Sequence, residues 1–237
     1  MIDTPLLQLE AEKIGIILDD IALSRFDKYA EMIVETNKTL NLTAITEPNE
    51  ILYKHFIDCL SLLTVVDLKK GAKVIDVGTG AGFPGLVLLI ARPDIDITLM
   101  DGTNKRLVFI EEVLRELNLN AKVLHMRAEL AGKDNNYREQ YDLVTARAVA
   151  NMNTLSEYCL PFAKVGGIFA PMKAAKGDEE LDEAKNAVKL LGGKIKEVKH
   201  LCIDNCGERC IIITEKISHT PPKYPRASAQ IAKKPLV

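Results

Sequence analysis

Residues 74–85 read VIDVGTGAGFPG: strand-forming residues up to Val77, then glycines at 78, 80, 82 and 85 with a proline at 84. Glycine adopts positive φ readily and, without a Cβ, lets a ligand approach the backbone. Pro84 suits the first turn of a helix. A strand, a bare turn and a helix start in twelve residues describe the first strand-to-helix turn of an α/β nucleotide-type cleft. No other stretch constrains the fold as much. The register from Gly80 through Gly82 to Gly85 also satisfies the dinucleotide pattern GxGxxG, which alone discriminates poorly.

The hydrophobic pattern around this turn agrees with it. From Lys73 onward, short apolar runs alternate with longer amphipathic ones: KVIDV, FPGLVLLIA, DITLMD, NKRLVFIEEVLRELN, AKVLHMR and YDLVTA. That alternation predicts a mostly parallel sheet with helices on both faces. GGIFAPMK adds a fifth strand after a helix ending near Pro161, and DEELDEAKNAVKLLG adds another helix. KIKEVKHLCI and RCIIITEK then face each other across Asp204–Gly207, so the sheet is expected to end in an antiparallel hairpin. The first 70 residues read as helical, with one segment opening at Leu18-Asp19-Asp20 and ending near Asn37, and another running from Pro48 to a stop at Lys70-Gly71.

Composition narrows the class. The 237 residues are 47% hydrophobic, enough for one domain with a sizeable core. No apolar run reaches the length of a membrane span, and the acids of MIDTPLLQLEAEKIG do not suit a secretory signal, so a cytoplasmic protein without a membrane partner is expected. The odd count of five cysteines speaks against a disulfide framework, and Cys202, Cys206 and Cys210 read as ordinary hairpin residues rather than a metal site. The formal charge is −2, but after Glu215 the tail carries Lys216, Lys223, Arg226, Lys233 and Lys234 and no acid. Local patches rather than totals attract nucleic acid.

The residues around the glycine turn, taken together, move it away from dinucleotides. Asp76 stands two residues before Gly78, where a carboxylate faces the loop and suits a ligand with positive charge or amine donors. Asp101 closes the second strand, where an acid can accept ribose hydroxyls, although a dinucleotide would use it too. The third strand ends in Arg127-Ala128-Glu129, which can read an adenine ring. With the closing antiparallel hairpin, these match class I S-adenosylmethionine (SAM) methyltransferases.

More specific signatures follow in order: NLTAI at 41–45, HFIDCL at 55–60, DVGTGAGFPG at 76–85, NKRLVFI at 104–110, RAE at 127–129, TARAVA at 145–150 and the ending YPR…KKPL. In these the chain closely resembles the bacterial small-subunit (16S) ribosomal RNA guanine-N7 methyltransferases, methyltransferase G, historically the glucose-inhibited division protein B family. It departs from the family at Cys59 and Thr145, where serine is usual, and in ASAQI at 227–231. The resemblance implies a seven-stranded Rossmann-like SAM-binding domain over 71–217, an N-terminal helical segment over 1–70 and a basic tail over 218–237. It implies cofactor contacts at Gly78, Phe83, Asp101 with its neighbours Gly102 and Thr103, Ala128, Glu129 and Arg147, to which the loop residues Asp76, Gly80 and Gly82 are added. Phe83 reads equally well as core, and Glu129 alone as a solvated helix start.

The sequence lacks an Asp/Asn-Pro-Pro-Tyr motif after the fourth strand and a Pro-Cys nucleophile pair, so neither an exocyclic amine nor covalent attack on a pyrimidine is indicated. An acceptor with its own lone pair and no proton to lose remains, such as guanine N7, and no catalytic residue is assigned. Arg147 can serve guanine O6 or the methionine carboxylate of SAM, the latter being what the family position implies. RNA contacts are expected from Lys105, Arg106, Lys173, Arg209 and the tail, with Lys223, Arg226, Lys233 and Lys234 on phosphates and Tyr224 free to stack. The tail is expected outside every cofactor-contacting turn. Asn37, Asn41, His55 and Asp58 read as cleft-mouth or structural residues. A monomer acting on small-subunit rRNA or on the assembled small subunit is the leading expectation. The alternatives are a SAM-binding ribosome-assembly factor and a methyltransferase of small molecules or proteins.

Overall fold

A computed structural model describes residues 1–174 and 177–236. Two N-terminal helices, α1 (Thr4–Lys13) and α2 (Asp20–Asn37), each start on an aspartate that caps the first turn: Asp3 accepts from Leu6 N–H at 2.9 Å and Asp19 from Ala22 N–H at 2.7 Å. The next helical stretch changes pitch along its length, from α3 (Pro48–Ile51) through a π turn (Leu52–Ile57) and α4 (Asp58–Leu60) to a 3₁₀ turn (Ser61–Thr64). It stops at Thr64, short of the Lys70-Gly71 expected from sequence. The wide π turn is where His55 and Lys54 are displayed.

The strands are β1 (Lys73–Val77), β2 (Asp96–Asp101), β3 (Lys122–His125), β4 (Tyr141–Arg147), β5 (Ala163–Ala174), β6 (Gly193–Ile203) and β7 (Gly207–Lys216). Between them lie α5 (Gly85–Ala91), α6 (Asn104–Glu116), α7 (Ala128–Ala131), α8 (Met152–Cys159) with a 3₁₀ turn (Leu160–Phe162), and α9 (Gly177–Leu190); α10 (Ser228–Lys233) closes the chain. The sheet order is β3-β2-β1-β4-β5-β7-β6, with β7 antiparallel to both neighbours. This is the seven-stranded, mostly parallel architecture expected. The order reverses between β1 and β4, and ligands of such sheets bind beyond the carboxyl ends of the strands at that switch.

Alternation along β1 shows how the sheet is covered. Val74 joins one buried cluster with Phe26, Phe56 and Leu86, so the N-terminal helices pack on that face with α5 and α6. Ile75 and Val77 join the other with Leu155 of α8, Phe162 of the 3₁₀ turn after it and Val188 of α9. Tyr224 belongs to this second cluster, and Ile231 of α10 is fully buried. The tail is therefore laid against the body of the protein. Arg138 donates to the carbonyls of Thr220 at 2.6 Å and Tyr224 at 2.9 Å, and Arg226 forms a forked pair with Glu157, whose side chain has no exposure.

Candidate functional site

At the switch point the carboxyl ends of β1, β2 and β3 and the segment after β4 enclose a cleft of about 450 Å³. Its floor includes Gly78, Asp101, Gly102 and Thr103, and its walls include Arg106, Met126, Arg127, Ala128, Glu129, Val149 and Tyr158. Asp101 is 5% exposed and held from two sides, by Gly80 N–H at 3.0 Å and Thr103 N–H at 2.7 Å, with Arg106 Nη1 at 3.6 Å. Two backbone donors thus fix the carboxylate at the cleft floor without using all of its acceptor capacity. Glu129 is paired with Arg127 at 2.8 Å. Gly78 has φ +76, and an added Cβ would lie 2.8 Å from Val149 Cγ2, so a bare backbone is needed at this wall.

Several residues expected at the cofactor are also engaged within the loop itself. The Asp76 side chain is fully buried: Oδ2 accepts from Thr79 Oγ1 at 2.7 Å and Gly85 N–H at 2.8 Å, and Oδ1 has no partner among the described residues. Burial raises its pKa to about 6, against the pull of those two hydrogen bonds. It ties the turn to α5, and neither cleft reaches it. Gly82 is required by packing, since a Cβ there would meet Leu86 Cδ1 and the Tyr29 hydroxyl at 2.5 Å. Phe83 is 6% exposed, with His55 stacked on its ring at 4.2 Å and the Arg147 guanidinium 4.9 Å from its centroid.

Arg147 belongs to a second cleft of about 460 Å³, lined also by Lys54, His55, Asp58, Met172, Lys173, Glu180 and Arg209. The two clefts share Ala148 as a common wall. Arg147 Nη1 donates to Asp58 Oδ2 at 2.8 Å and Lys54 O at 3.0 Å, Nη2 meets His55 Nδ1 at 2.9 Å, and Arg209 Nε donates to Asp58 Oδ1 at 2.6 Å. A guanidinium can only donate, so His55 Nδ1 accepts and the ring proton sits on Nε2, 2.9 Å from Thr43 Oγ1. Burial, then Arg147, lowers the His55 pKa to about 3, which keeps the ring neutral.

The basic residues expected on RNA divide in the same way. Lys105, Lys223, Lys233 and Lys234 are exposed. Arg106 stands in the first cleft, and Arg209 and Lys173 line the second. Tyr224 is 6% exposed and so cannot stack on a base as expected, and Arg226 is taken up by Glu157. The tail also touches the first cleft, because Ser228 Oγ accepts from Arg127 Nη2 at 2.8 Å and lies 3.4 Å from the Tyr158 hydroxyl. That contact corrects the expectation of a tail remote from the cofactor turns. Asn37 organises residues 42 and 43 through its side-chain oxygen and lines neither cleft.

Sequence reasoning missed Tyr158, Val149 and Glu180. Tyr158 and Glu180 sit in segments that read as ordinary helices, Val149 within TARAVA has no polar group to mark it, and only the fold brings them to the clefts. A larger hollow of about 690 Å³ lies at the opposite end of the sheet, among Val65–Ala72, Asp142, Lys164 and Lys196, away from the glycine turn. Asp178, His200 and Cys210 gather within 4.8 Å of one another, but they line neither cleft.

The first cleft fits SAM on its own donor set: an anchored acid after β2, Ala128 and Glu129 after β3, and a glycine wall. Arg147, with three of its N–H groups engaged as above and five available to any guanidinium, keeps donors for a carboxylate.

Known proteins bear on this geometry. The sequence profile of a family described as rRNA small subunit methyltransferase G matches residues 22–209. A protein named ribosomal RNA small subunit methyltransferase G from Clostridium tetani (strain Massachusetts / E88) is 46% identical over 233 residues, covering 98% of both chains. Its namesake from Lactobacillus johnsonii (strain CNCM I-12250 / La1 / NCC 533) is 48% identical, covering 96% of this chain and 97% of its own. Among solved structures, a SAM-dependent methyltransferase from Aquifex aeolicus superposes with a TM-score of 0.55 at 20% identity, covering 78% of this chain and 98% of that one. A SAM-dependent O-methyltransferase from Thermotoga maritima gives 0.53 at 15% identity, covering 79% and 72%. The chain belongs to the rRNA small subunit methyltransferase G family, and it is a methyltransferase whose cofactor is S-adenosylmethionine.

Proposed function

We propose that this protein methylates N7 of a guanine in small-subunit ribosomal RNA, by direct displacement and without a covalent intermediate. When bound in the first cleft, SAM supplies a methyl carbon activated by a positively charged sulfur. Asp101, Ala128 and Glu129 hold the nucleoside end and Arg147 the methionine carboxylate. The second cleft receives the base, with Ala148 between the two.

The observation that carries this reading is the state of the second cleft's titratable groups. Both Asp58 oxygens are held by arginines, Glu180 Oε2 is held by Lys173 and Met152 N–H, and His55 is neutral with Nδ1 already accepting from Arg147. Each is already bonded to a cation or, for His55, to a guanidinium N–H, and the reading assigns none of them the role of general base. Guanine N7 offers an in-ring lone pair and carries no proton, so its methylation needs no base. Positioning is then the main contribution, and orientation is worth about 7–11 kcal/mol of barrier in favourable cases. Arg209 and Lys54 give the cleft the cationic lining that an RNA strand requires.

No helix among the described residues is long and apolar enough to cross a membrane. The reading has the protein act as a monomer in the cytoplasm, where its substrate is assembled. A mass-spectrometric nucleoside map of small-subunit rRNA from cells with and without this protein tests it. The expected difference is one 7-methylguanosine. A methyl on another atom overturns the N7 reading, and an unchanged map with defective subunits favours an assembly factor.

A further inference from the structure

The segment between β4 and α8 forms the partition between the two clefts, and its backbone is not relaxed. Ala148 has φ +57, in the left-handed region that disfavours residues with a Cβ. Val149 reaches over Gly78 on the cofactor side. Such a conformation persists only where its surroundings over-determine it.

Two side chains from elsewhere in the fold hold the residues that follow Ala148. Lys173 Nζ, from β5, donates to Ala150 O at 2.7 Å. Glu180 Oε2, from α9, accepts from Met152 N–H at 2.9 Å. The two charged groups meet at 2.5 Å, with side-chain exposures of 10% and 27%. Asn151, at the N-cap of α8, makes no side-chain capping bond of its own. Glu180 therefore supplies the cap from a different helix, and Lys173 ties the preceding carbonyl to the same carboxylate. One ion pair pins the partition where it runs into α8, at Ala150 O and Met152 N–H.

We propose that Lys173 and Glu180 are a positioning pair for methyl transfer, setting the separation of donor and acceptor by fixing residues 149–152. This rests on the reading of the second cleft as the acceptor site. The pair acts through backbone groups of the partition, so its loss loosens the alignment of the reactants more than it weakens the cofactor's own contacts, most of which follow β1, β2 and β3, while Arg147 at the end of β4 is held separately by Lys54 O and Asp58.

The test uses the full chain and small subunits from cells that lack it, in single-turnover assays at saturating SAM and subunits. Lys173→Met is expected to lower the rate constant by about tenfold or more, since a misplacement near 1 Å costs up to about 10²-fold. Glu180→Gln, which keeps an acceptor for Met152 N–H but loses the charge, should show a smaller loss. SAM affinity by calorimetry should stay close to wild type in both, and Lys173→Arg, which keeps a cation within reach of both partners, should recover most of the rate. An unchanged rate constant in the folded Glu180→Gln and Lys173→Met variants overturns the proposal. So does a fall in SAM affinity that accounts for the whole rate loss. The wild-type product is mapped in parallel: a methyl elsewhere than guanine N7 refutes the proposed function, whereas the positioning pair is judged on the rate of whatever transfer occurs.

Discussion

Arg226 is the residue whose sequence and structural readings lead to opposite experiments. In the sequence it is one of several tail cations awaiting phosphate. In the structure its guanidinium forks onto Glu157, with Nε to Oε1 at 2.9 Å and Nη2 to Oε2 at 2.6 Å, while its own backbone N–H donates to Oε1 at 2.8 Å. Glu157 has no exposure and the Arg226 side chain 22%. Arg226→Met keeps the backbone donor and the volume of the stem but leaves a buried carboxylate without its counter-charge. Breaking such a pair from one side costs about 3–5 kcal/mol, the retained N–H favouring the lower end. That is a large part of the roughly 5–15 kcal/mol that holds a typical native protein.

Urea unfolding at neutral pH measures the loss, and Glu157→Gln/Arg226→Met is the control. With both charges removed, most of the stability should return, because replacing a buried pair by neutral groups is often close to neutral. Hydrogen exchange should show α10 and residues 218–227 opening first in Arg226→Met, since this pair and the Arg138 carbonyl contacts fasten that stretch. A surface cation waiting for RNA behaves differently: its removal changes stability by no more than about 0.5 kcal/mol. A change that small in Arg226→Met would refute the latch.

The contrast shows where the sequence was legible. The succession of strands and helices, the glycine turn and the acid closing β2 could be read because each is a local pattern: a run of apolar residues, a break in it, one charged residue at a fixed offset. Asp101 needed no distant partner to be recognised. Asp76 was visible by the same logic, but whether its carboxylate met a ligand or its own loop depended on Thr79 and Gly85 folding back onto it. The fate of the cations was not legible. Arg226 is 69 residues from Glu157 and Arg209 is 151 from Asp58, separations over which no periodicity carries information. Tyr224 stands among prolines and lysines in a stretch that reads as solvent-exposed, yet it completes the second core cluster. The second cleft, as a unit, was hidden for a related reason. Its residues come from the π turn, α4, β4, β5, α9 and β7, none of which signals a site alone.

Asp101→Ala is expected to weaken SAM binding by about 1.5–3 kcal/mol, the range for hydrogen bonds to a charged group, and an unchanged calorimetric affinity would move the cofactor off β2. Gly80→Ala, whose Cβ meets nothing closer than Gly78 O at 4.0 Å, should cost only the left-handed penalty of about 1–2 kcal/mol. Gly82→Ala, which adds contacts of 2.5 Å to Leu86 and Tyr29, should cost more, and the reverse order in urea unfolding would contradict the packing described. Neutralising Lys223, Lys233 and Lys234 should reduce the salt slope of RNA binding by about 0.7–0.9 for each phosphate no longer neutralised, while an unchanged slope would leave Lys105 the better candidate. One contribution to the pH dependence of stability comes from Lys216, which has no exposure and bonds to Leu160 O and Thr220 Oγ1 with Glu139 at 3.3 Å. Burial lowers its pKa from 10.5 to about 8, against the pull of Glu139. Between those values the unfolded chain binds the proton that the folded one releases, so this group makes the protein more stable as pH rises from about 8 toward 10.5. Lys216→Met should remove that contribution, so the wild-type minus variant difference in unfolding free energy should climb across that same pH range. A flat or falling difference would mean that the ammonium is held charged by Glu139 throughout, and that burial is not the dominant influence on this lysine.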